Sequence, residues 1–140
     1  MIVVDTNVVS ELMRLSPFER VREWVRAQPA RELYTSAVTV AEIRYGVERL
    51  RGGRRQEELK AAAIQIFDSF ADQVLAFDTT AAEQYALVVS HRERLGMPID
   101  GFNAQIAATC RARGAALATR NIADFRETGI KVINPWDSDG

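Results

Sequence analysis

The sequence predicts an α/β domain with a central parallel sheet of about five strands flanked by helices. Short apolar runs, bounded by polar or turn-forming residues, are typical of strands that are covered on both faces. Between these runs lie longer segments in which apolar residues recur with the period of an α-helix. Strands that alternate with helices in this way predict a parallel sheet sandwiched between helical layers.

The length and composition fit one globular domain. The chain has 140 residues, of which 47% are hydrophobic and 26% are charged, and this composition is that of a folded protein rather than a disordered one. Because no linker, repeat or low-complexity segment divides the sequence, we predict a single domain covering residues 1–140.

Five strands are predicted in order along the chain. Each is short and mostly apolar, and the first lies at the very start of the sequence. They cover residues 2–4, 33–35, 74–77, 116–119 and 130–133.

Four helices are predicted between the strands, each from an apolar stripe at helical spacing. Their start and stop signals are Gly52-Gly53 after the first helix, Thr80 and Gly96 around the third, and Pro98 and Gly114 around the fourth. The residues predicted to face inward are, helix by helix, Val40, Ile43, Val47 and Leu50; Leu59, Ala63, Ile66, Phe67 and Phe70; Ala82, Tyr85 and Val89; and Phe102, Ile106 and Cys110.

The scarcity of cysteine and histidine excludes several kinds of chemistry. Cys110 and His91 are the only residues of their types, so a disulfide is impossible and a structural zinc site lacks ligands. His91 lies in a run of polar residues, where we expect a solvated side chain rather than a catalytic base. A lone thiol suits a reducing compartment, and no run resembles a signal peptide or a membrane span, so we expect a cytoplasmic protein.

The net charge of -1 does not mark the chain as a nucleic-acid binder. The basic residues are nevertheless uneven, with 16 arginines and 2 lysines. Arginine presents a planar fork that matches phosphate, but a GC-rich genome produces the same bias, and the two explanations are equally good at this stage.

Four polar residues are predicted to meet at the carboxyl edge of the sheet, where ligands bind in open α/β sheets. Asp5 follows the first strand, Glu42 lies at the border of the first predicted helix, and Asp124 follows the fourth strand. Asn103 lies in the first turn of the last helix, one turn after Asp100. Oxygen donors without histidine or cysteine suit a hard cation such as Mg²⁺ or Mn²⁺.

A purely structural explanation exists for each of these residues. Asp5 can cap the following helix through the amides of Val8 or Val9. Glu42 can pair with a nearby arginine, and Asp124 can cap a short turn. Asp100, which follows Pro98-Ile99, is a natural N-cap, and we expect capping to be its main role. The joint placement of the four acidic or amide residues favours a site.

The sequence resembles PIN-domain ribonuclease toxins of the VapC type, including the FitB-like members, over nearly its full length. The matching pieces lie in the family's order along the chain, and as an ordered set they are specific. They are Val4-Asp5-Thr6-Asn7-Val8-Val9-Ser10, Thr39-Val40-Ala41-Glu42-Ile43-Arg44-Tyr45-Gly46, Pro98-Ile99, Ala104-Gln105-Ile106-Ala107-Ala108, Leu117-Ala118-Thr119-Arg120-Asn121, Asp124-Phe125 and Asn134-Pro135-Trp136.

The resemblance implies a PIN-like three-layer sandwich and a Mg²⁺-dependent endoribonuclease that is inhibited by a cognate antitoxin. Mn²⁺ is the expected substitute ion. The resemblance also implies an RNA substrate and a homodimer, for which the exposed faces at Trp24-Val25 and residues 85–88 are candidates. The site residues it implies are Asp5, Glu42, Asn103 and Asp124, with Asp5, Asn103 and Asp124 as metal ligands and with Thr6 and Thr119 orienting water or substrate.

Asn103 departs from the family pattern, which has a metal-ligating aspartate at this position. Asparagine keeps one carbonyl oxygen but removes the negative charge, so it should weaken a divalent-metal site. Three explanations stay open: a natural site in which Asp100 restores the charge, a non-catalytic member, or an engineered substitution that relieves toxicity.

Two functions therefore compete, and a third is disfavoured. The leading one is metal-dependent RNA cleavage, and the alternative is a weakened or inactive variant that binds RNA or antitoxin without cutting. An aspartyl-phosphate protein would also place an acid at Asp5, but a phosphatase of that kind has a second aspartate where Asn7 stands. A receiver domain needs a lysine at a late strand end, whereas Lys131 opens the last strand.

Overall fold

The computed structural model describes residues 1–137, and a parallel five-stranded sheet forms its centre. The strands are β1 (Ile2–Val4), β2 (Leu33–Ser36), β3 (Val74–Leu75), β4 (Ala116–Ala118) and β5 (Val132–Ile133). The helices are α1 (Thr6–Leu12), α2 (Glu19–Ala27), α3 (Ala37–Glu48), α4 (Arg54–Phe70), α5 (Thr79–Arg94) and α6 (Gly101–Arg113), with 3₁₀ turns at Ala30–Glu32 and Ile122–Phe125. The last three residues of the predicted domain lie outside the described residues.

The strand order is β3-β2-β1-β4-β5, and every neighbouring pair is parallel. The first strand is therefore the middle of the sheet, with β2 on one side and β4 on the other. Its ladder with β4 continues past the strand end, because the Asp5 amide donates to the Ala118 carbonyl at 2.9 Å. This topology places Asp5 at the centre of the carboxyl edge, where ligand sites form in parallel sheets.

Two hydrophobic cores confirm the predicted three layers. Val3 and Val4 point to opposite faces of the sheet, as successive strand residues must, and each belongs to a different core. The Val3 core packs against α6 and includes Ile106, Leu117 and Phe125. The Val4 core packs against α1, α2, α3 and α4. Together these cores hold the strand ends rigidly beneath the candidate site.

The first two helices were not predicted from an apolar stripe, and the structure adds both. Helix α1 is a seven-residue helix that follows β1 directly, with Asp5 as its N-cap. Helix α2 inserts Val21 into the core. Both helices are short, with about two turns in α1 and about two and a half in α2, and so few apolar positions do not establish a period.

The predicted face and cap of α5 are wrong. Ala81 and Val88 are buried on this helix, whereas Ala82 is exposed and Tyr85 and Val89 are half-buried. The cap is Asp78, whose carboxylate accepts from the Ala81 amide at 2.9 Å, and not Thr80. Apolar residues surround much of this helix, so the sequence period did not single out one face.

Two further expectations about apolar residues are also corrected. Phe102, predicted to face inward, is 50% exposed because it lies in the first turn of α6 beyond the edge of the core. The proposed contact faces are only partly covered by the fold. Trp24 and Val25 are half-buried against the Val4 core and Val88 is fully buried, whereas Ala86 and Leu87 are exposed. None of the helices within residues 1–137 is long and apolar enough to cross a membrane.

Candidate active site

Asp5 is a buried carboxylate at the carboxyl end of the central strand. Only 4% of the residue is exposed, and both carboxylate oxygens accept hydrogen bonds. Oδ1 accepts from the Thr6 amide at 2.8 Å, and Oδ2 accepts from the Thr119 hydroxyl at 2.8 Å. The predicted capping role is therefore real but runs through Thr6, while the Val8 and Val9 amides bond to the Asp5 carbonyl instead.

A network between the ends of β1 and β4 fixes the Asp5 side chain. The side-chain nitrogen of Asn7, Nδ2, donates to the Thr119 hydroxyl at 3.0 Å and lies 3.4 Å from Asp5 Oδ2. Thr119 is fully buried, and its hydroxyl also accepts from the Asn121 amide at 3.1 Å. The structure thus places Thr119 behind Asp5, with its hydroxyl committed to neighbouring protein groups.

The charge on Asp5 is costly where it lies. Burial raises the pKa of this carboxyl above its ordinary value of 3.8, and the charges of Glu42 and Asp124 raise the pKa further. The hydrogen bonds from Thr119 and Thr6 favour the charged form and oppose this shift. A bound cation would relieve the same penalty, which is one argument for an ion-binding role.

Glu42 lies on α3, at the predicted border between core and solvent. Its Oε1 accepts from the Thr6 hydroxyl at 2.7 Å, and that hydroxyl also lies 3.1 Å from the Thr39 hydroxyl. Among the described residues Glu42 has no arginine partner, so the alternative of a surface ion pair with Arg44 or Arg49 is not what the structure contains. Thr6 instead links Glu42 to the start of α1.

Asn103 and Asp100 bond to each other at the start of α6. Asp100 is the N-cap, as predicted, and its Oδ1 accepts from the Asn103 amide at 3.0 Å. The Asn103 side-chain amide donates to Asp100 Oδ2 at 2.7 Å. Since the nitrogen of the Asn103 amide is used in this bond, its carbonyl oxygen is the atom left to serve as a ligand.

Asp124 is exposed and lies in the 3₁₀ turn that follows β4. A buried arginine, Arg92 of α5, holds this turn in place. Its guanidinium donates to the backbone carbonyls of Asp124 and Arg126 at 2.9 and 2.8 Å, and to those of Met97 and Pro98 at 2.7 and 3.3 Å. One side chain thus connects the Asp124 turn to the loop that leads to Asp100.

Sequence reasoning missed Arg92, which it left within the solvated end of a helix. The residue is only 6% exposed, and its four acceptors are all main-chain oxygens. A buried cation without a carboxylate partner has no sequence signature, because carbonyl acceptors can belong to any residue.

His91, the neighbour of Arg92, lies at the surface as expected, 3.0 Å from Glu127. Burial raises the pKa of Cys110 to about 12, so this thiol is not a nucleophile at neutral pH.

A cleft of about 430 Å³ brings most of the predicted site residues together. Asp5, Thr6, Glu42 and Asn103 line it, whereas Thr119 lies beneath its floor and Asp124 stands outside its lining. Two arginines that sequence reasoning did not assign to the site also line the cleft. The other lining residues are Asn7, Ser10, Glu11, Arg14, Arg120, Asn121 and Trp136.

The oxygen ligands that line the cleft are of the kind that a hard divalent cation prefers, but they do not form a tight cluster. Carboxylate and amide oxygens are available, and neither histidine nor cysteine lines the cleft. Within residues 1–137, no three acidic, histidine or cysteine side chains lie close enough to hold an ion in their present positions. An amide at position 103 removes one of the four charges that such a cluster would contain.

Comparison with known proteins places this geometry in a family. The PIN-domain profile matches residues 2–131. The plasmid stability protein StbB of Pseudomonas syringae pv. tomato is 38% identical over 139 residues, covering 99% of this chain and 100% of that protein. The VapC ribonuclease Y4jK of Sinorhizobium fredii is also 38% identical, covering 98% of this chain and 99% of that protein.

A solved structure agrees with these relatives. Toxin FitB of Neisseria gonorrhoeae is 38% identical over 137 residues, covering 97% of this chain and 99% of FitB. The structure of FitAB bound to a DNA fragment matches with a TM-score of 0.91, covering 98% of this chain and 96% of the compared chain. The chain therefore belongs to the PIN-domain family, and within that family to the VapC-type, FitB-like toxins.

Proposed function

We propose that this protein is the toxin of a toxin–antitoxin pair and acts as a metal-dependent endoribonuclease that cleaves RNA phosphodiester bonds. The observation that carries the proposal is Asp5, a buried carboxylate with a raised pKa at the carboxyl edge of a parallel sheet, facing a cleft lined by Glu42 and Asn103. The relatives named as ribonuclease and toxin support the same activity.

PIN-domain VapC ribonucleases depend in general on a divalent metal ion, and for this chain we propose Mg²⁺, with Mn²⁺ as a substitute. Asp5 and Asn103, which line the cleft, would hold the ion together with Asp124, which stands outside the lining but near enough for its charge to raise the pKa of Asp5. Such an ion supplies an activated water and compensates the charge that develops on a scissile phosphate. The oxygen-only donor set favours these hard cations over zinc.

The protein's own residues orient the carboxylates of the cleft and supply a cationic side chain at its wall. Thr119 and Asn7 fix Asp5 from behind, so its carboxylate does not rotate away from the cleft. Thr6 does the same for Glu42 through a 2.7 Å hydrogen bond. Arg14, whose side chain is 68% exposed, lines the cleft and can bind a phosphate of the substrate.

A second candidate function rests on position 103. There the family's carboxylate is replaced by an amide that is hydrogen bonded to Asp100. If the remaining charge is too small to retain the ion, the chain is a weakened or inactive variant that binds RNA or antitoxin without cutting. Asp100, which accepts a hydrogen bond from the Asn103 side chain, is the residue that could restore the missing negative charge.

The antitoxin is expected to bind beside the cleft. A larger groove of about 900 Å³ runs between α1, α3 and α4 and shares Thr6, Ser10, Arg14 and Glu42 with the cleft. Its floor is apolar, with Ile43, Val47 and Leu59 among the lining residues. A segment of antitoxin in this groove would reach the mouth of the cleft, which explains inhibition by simple obstruction. The homodimer and the cytoplasmic location stay predictions.

Cleavage of single-stranded RNA tests the proposal. The purified chain should cut RNA with Mg²⁺ and not with EDTA, and Asn103→Asp should cut faster because it restores the missing charge. Arg26→Ala, on the exposed side of α2, is the control for non-specific effects of substitution. RNA binding without any Mg²⁺-dependent cleavage by the chain or by Asn103→Asp would favour the binding module.

A further inference from the structure

Arg120 and Trp136 form a wall of the cleft that the acidic residues do not explain. The Arg120 guanidinium carbon lies 5.2 Å from the centre of the Trp136 ring, the geometry of a cation–π contact. Both residues line the same cleft as Asp5. Arg120 follows β4 and Trp136 follows β5, so the pair lies at the carboxyl edge of two adjacent strands.

Both members of the pair are held in place through their backbones. The Arg120 amide donates to the Asn7 side-chain oxygen at 3.2 Å, which ties it to the network behind Asp5. The Trp136 amide donates to Asn134 at 2.9 Å, and its carbonyl accepts from Arg20 at 3.2 Å. The indole also packs against the Val4 core. The ring is therefore a fixed support rather than a mobile surface side chain.

The Arg120 guanidinium has unused hydrogen-bonding capacity with respect to residues 1–137. Within the described part of the chain it makes no ion pair and no side-chain hydrogen bond, whereas Arg22 and Arg54 pair with carboxylates on their own helices. A guanidinium carries five N–H donors and two flat faces. With the guanidinium over the Trp136 ring, its far side and its N–H donors have no other partner among residues 1–137 and are open to a ligand.

A ligand that matches this surface has both a flat aromatic group and a phosphate. Nucleobases stack on aromatic rings and on arginine guanidinium groups, largely irrespective of base sequence. The N–H groups of a guanidinium point outward in its own plane, so they can donate to a phosphate oxygen beside the stacked base. From this geometry, and resting on RNA as the substrate of the proposed function, we propose that Arg120 on Trp136 is a stacking subsite for an unpaired RNA base next to the scissile phosphate.

The test measures RNA binding in EDTA, so that metal and cleavage play no part. A fluorescein-labelled single-stranded oligoribonucleotide is titrated by anisotropy, and inorganic polyphosphate, which carries phosphate without bases, is titrated as a competitor. The subsite predicts that Arg120→Ala and Trp136→Leu each weaken RNA binding about 10-fold. The charge-matched control Arg26→Ala, outside the cleft, should change it less than about 2-fold.

Arg120→Lys separates stacking from charge. It keeps the positive charge but loses the plane, so it should lose nearly as much RNA affinity as Arg120→Ala while binding polyphosphate like the parent chain. If Arg120→Lys binds RNA as tightly as the parent, the subsite is a simple phosphate contact and the inference is wrong. Because Arg120 is exposed, its variants keep the fold even if Trp136→Leu does not.

The outcomes also distinguish this inference from the proposed function. If the parent binds RNA with the predicted variant pattern but does not cut it with Mg²⁺, the subsite stands and the nuclease proposal falls. If the parent cuts RNA while Arg120→Lys and Trp136→Leu bind RNA with the parent's affinity, the subsite is refuted and the nuclease proposal stands. A parent chain that does not bind RNA in EDTA contradicts the subsite directly.

Discussion

The Asp5 end of the cleft and its Asn103 end are held in different ways. Asp5 is almost fully buried and receives hydrogen bonds from the Thr6 amide and the Thr119 hydroxyl. Asn103 lies in the first turn of α6, and its side-chain partner is the exposed Asp100. The strand end thus fixes one carboxylate rigidly, while the helix start holds an amide through a local pair at the surface.

Substitutions at the two ends should therefore affect the fold to different degrees. A substitution at the Asp5 end disturbs a network that joins β1 to β4, so it affects both the site and the packing beneath it. A substitution at the Asn103 end alters one exposed hydrogen bond and one potential charge. We therefore expect Asp5 to control whether the site works at all and position 103 to control how strongly it holds an ion.

The largest effect is expected for Asp5→Asn. The variant removes the central negative charge and should reduce Mg²⁺-dependent RNA cleavage by about 100-fold or more, since a bound cation contributes several kcal/mol of charge stabilisation. Initial cleavage rates of matched protein samples, checked for folding by circular dichroism, measure it. Cleavage at the parent's rate would leave Asp5 as a helix cap only.

Arg92→Lys tests the side chain that joins the Asn103 end to the Asp124 turn. A lysine has three donors on one nitrogen and cannot serve four carbonyls that face different sides of a guanidinium. The free energy of unfolding should fall by about 2–3 kcal/mol, because buried acceptors lose charged donors. Urea unfolding measures this loss. The matched control is Arg94→Lys, because within residues 1–137 the guanidinium of Arg94 bonds only to the exposed Ser90. A similar loss in both variants would contradict a special role for Arg92.

The stability of the fold should depend on pH through Asp5. Because the pKa of Asp5 is raised in the folded state, its contribution to stability is most favourable at pH values below 3.8, the ordinary pKa of this carboxyl. It is lost as the pH rises through the folded-state pKa. In EDTA, the unfolding free energy of the parent should therefore fall relative to that of Asp5→Asn as the pH increases from about 4 towards neutrality.

Urea unfolding of both proteins across this pH range provides the measurement. The difference between them isolates Asp5, since all other titrating groups are shared. Parallel curves would mean that Asp5 titrates normally, and the argument that its buried charge needs a cation would fail.

The smallest effect is expected at the exposed end. Asp100→Ala removes an N-cap and should lower the unfolding free energy by about 1 kcal/mol with little change in cleavage. Thermal unfolding and a cleavage assay on the same sample measure both quantities. If cleavage disappears while stability falls only slightly, Asp100 has taken over the ligand role at position 103.

The sequence was most informative where chemistry and periodicity agree. The strand at residues 2–4 is a continuous apolar run that ends in a carboxylate, and both the strand and the position of Asp5 follow from this pattern. Asp100 was predicted as a cap because Pro98-Ile99 before it marks a helix start. The helical stripe through Ile43 and Val47 also placed Glu42 at the border of the core, next to the cleft.

The sequence was least informative where a role depends on contacts between distant segments. No feature of the sequence indicated the role of Arg92, because its acceptors are main-chain carbonyls, two of them more than 30 positions away. Thr119 was expected to face water or substrate, yet it lies behind Asp5. The pairing of Arg120 with Trp136 depends on how the ends of β4 and β5 are aligned.

Whether Asp5 and position 103 face one ion can be decided by calorimetric titration of the parent, Asn103→Asp and Asp5→Asn with Mn²⁺. The account predicts weak binding to the parent, binding to Asn103→Asp that is tighter by about 10-fold or more, and no measurable binding to Asp5→Asn, because each added carboxylate strengthens the attraction for the ion. Equal Mn²⁺ affinities in all three proteins would contradict the account.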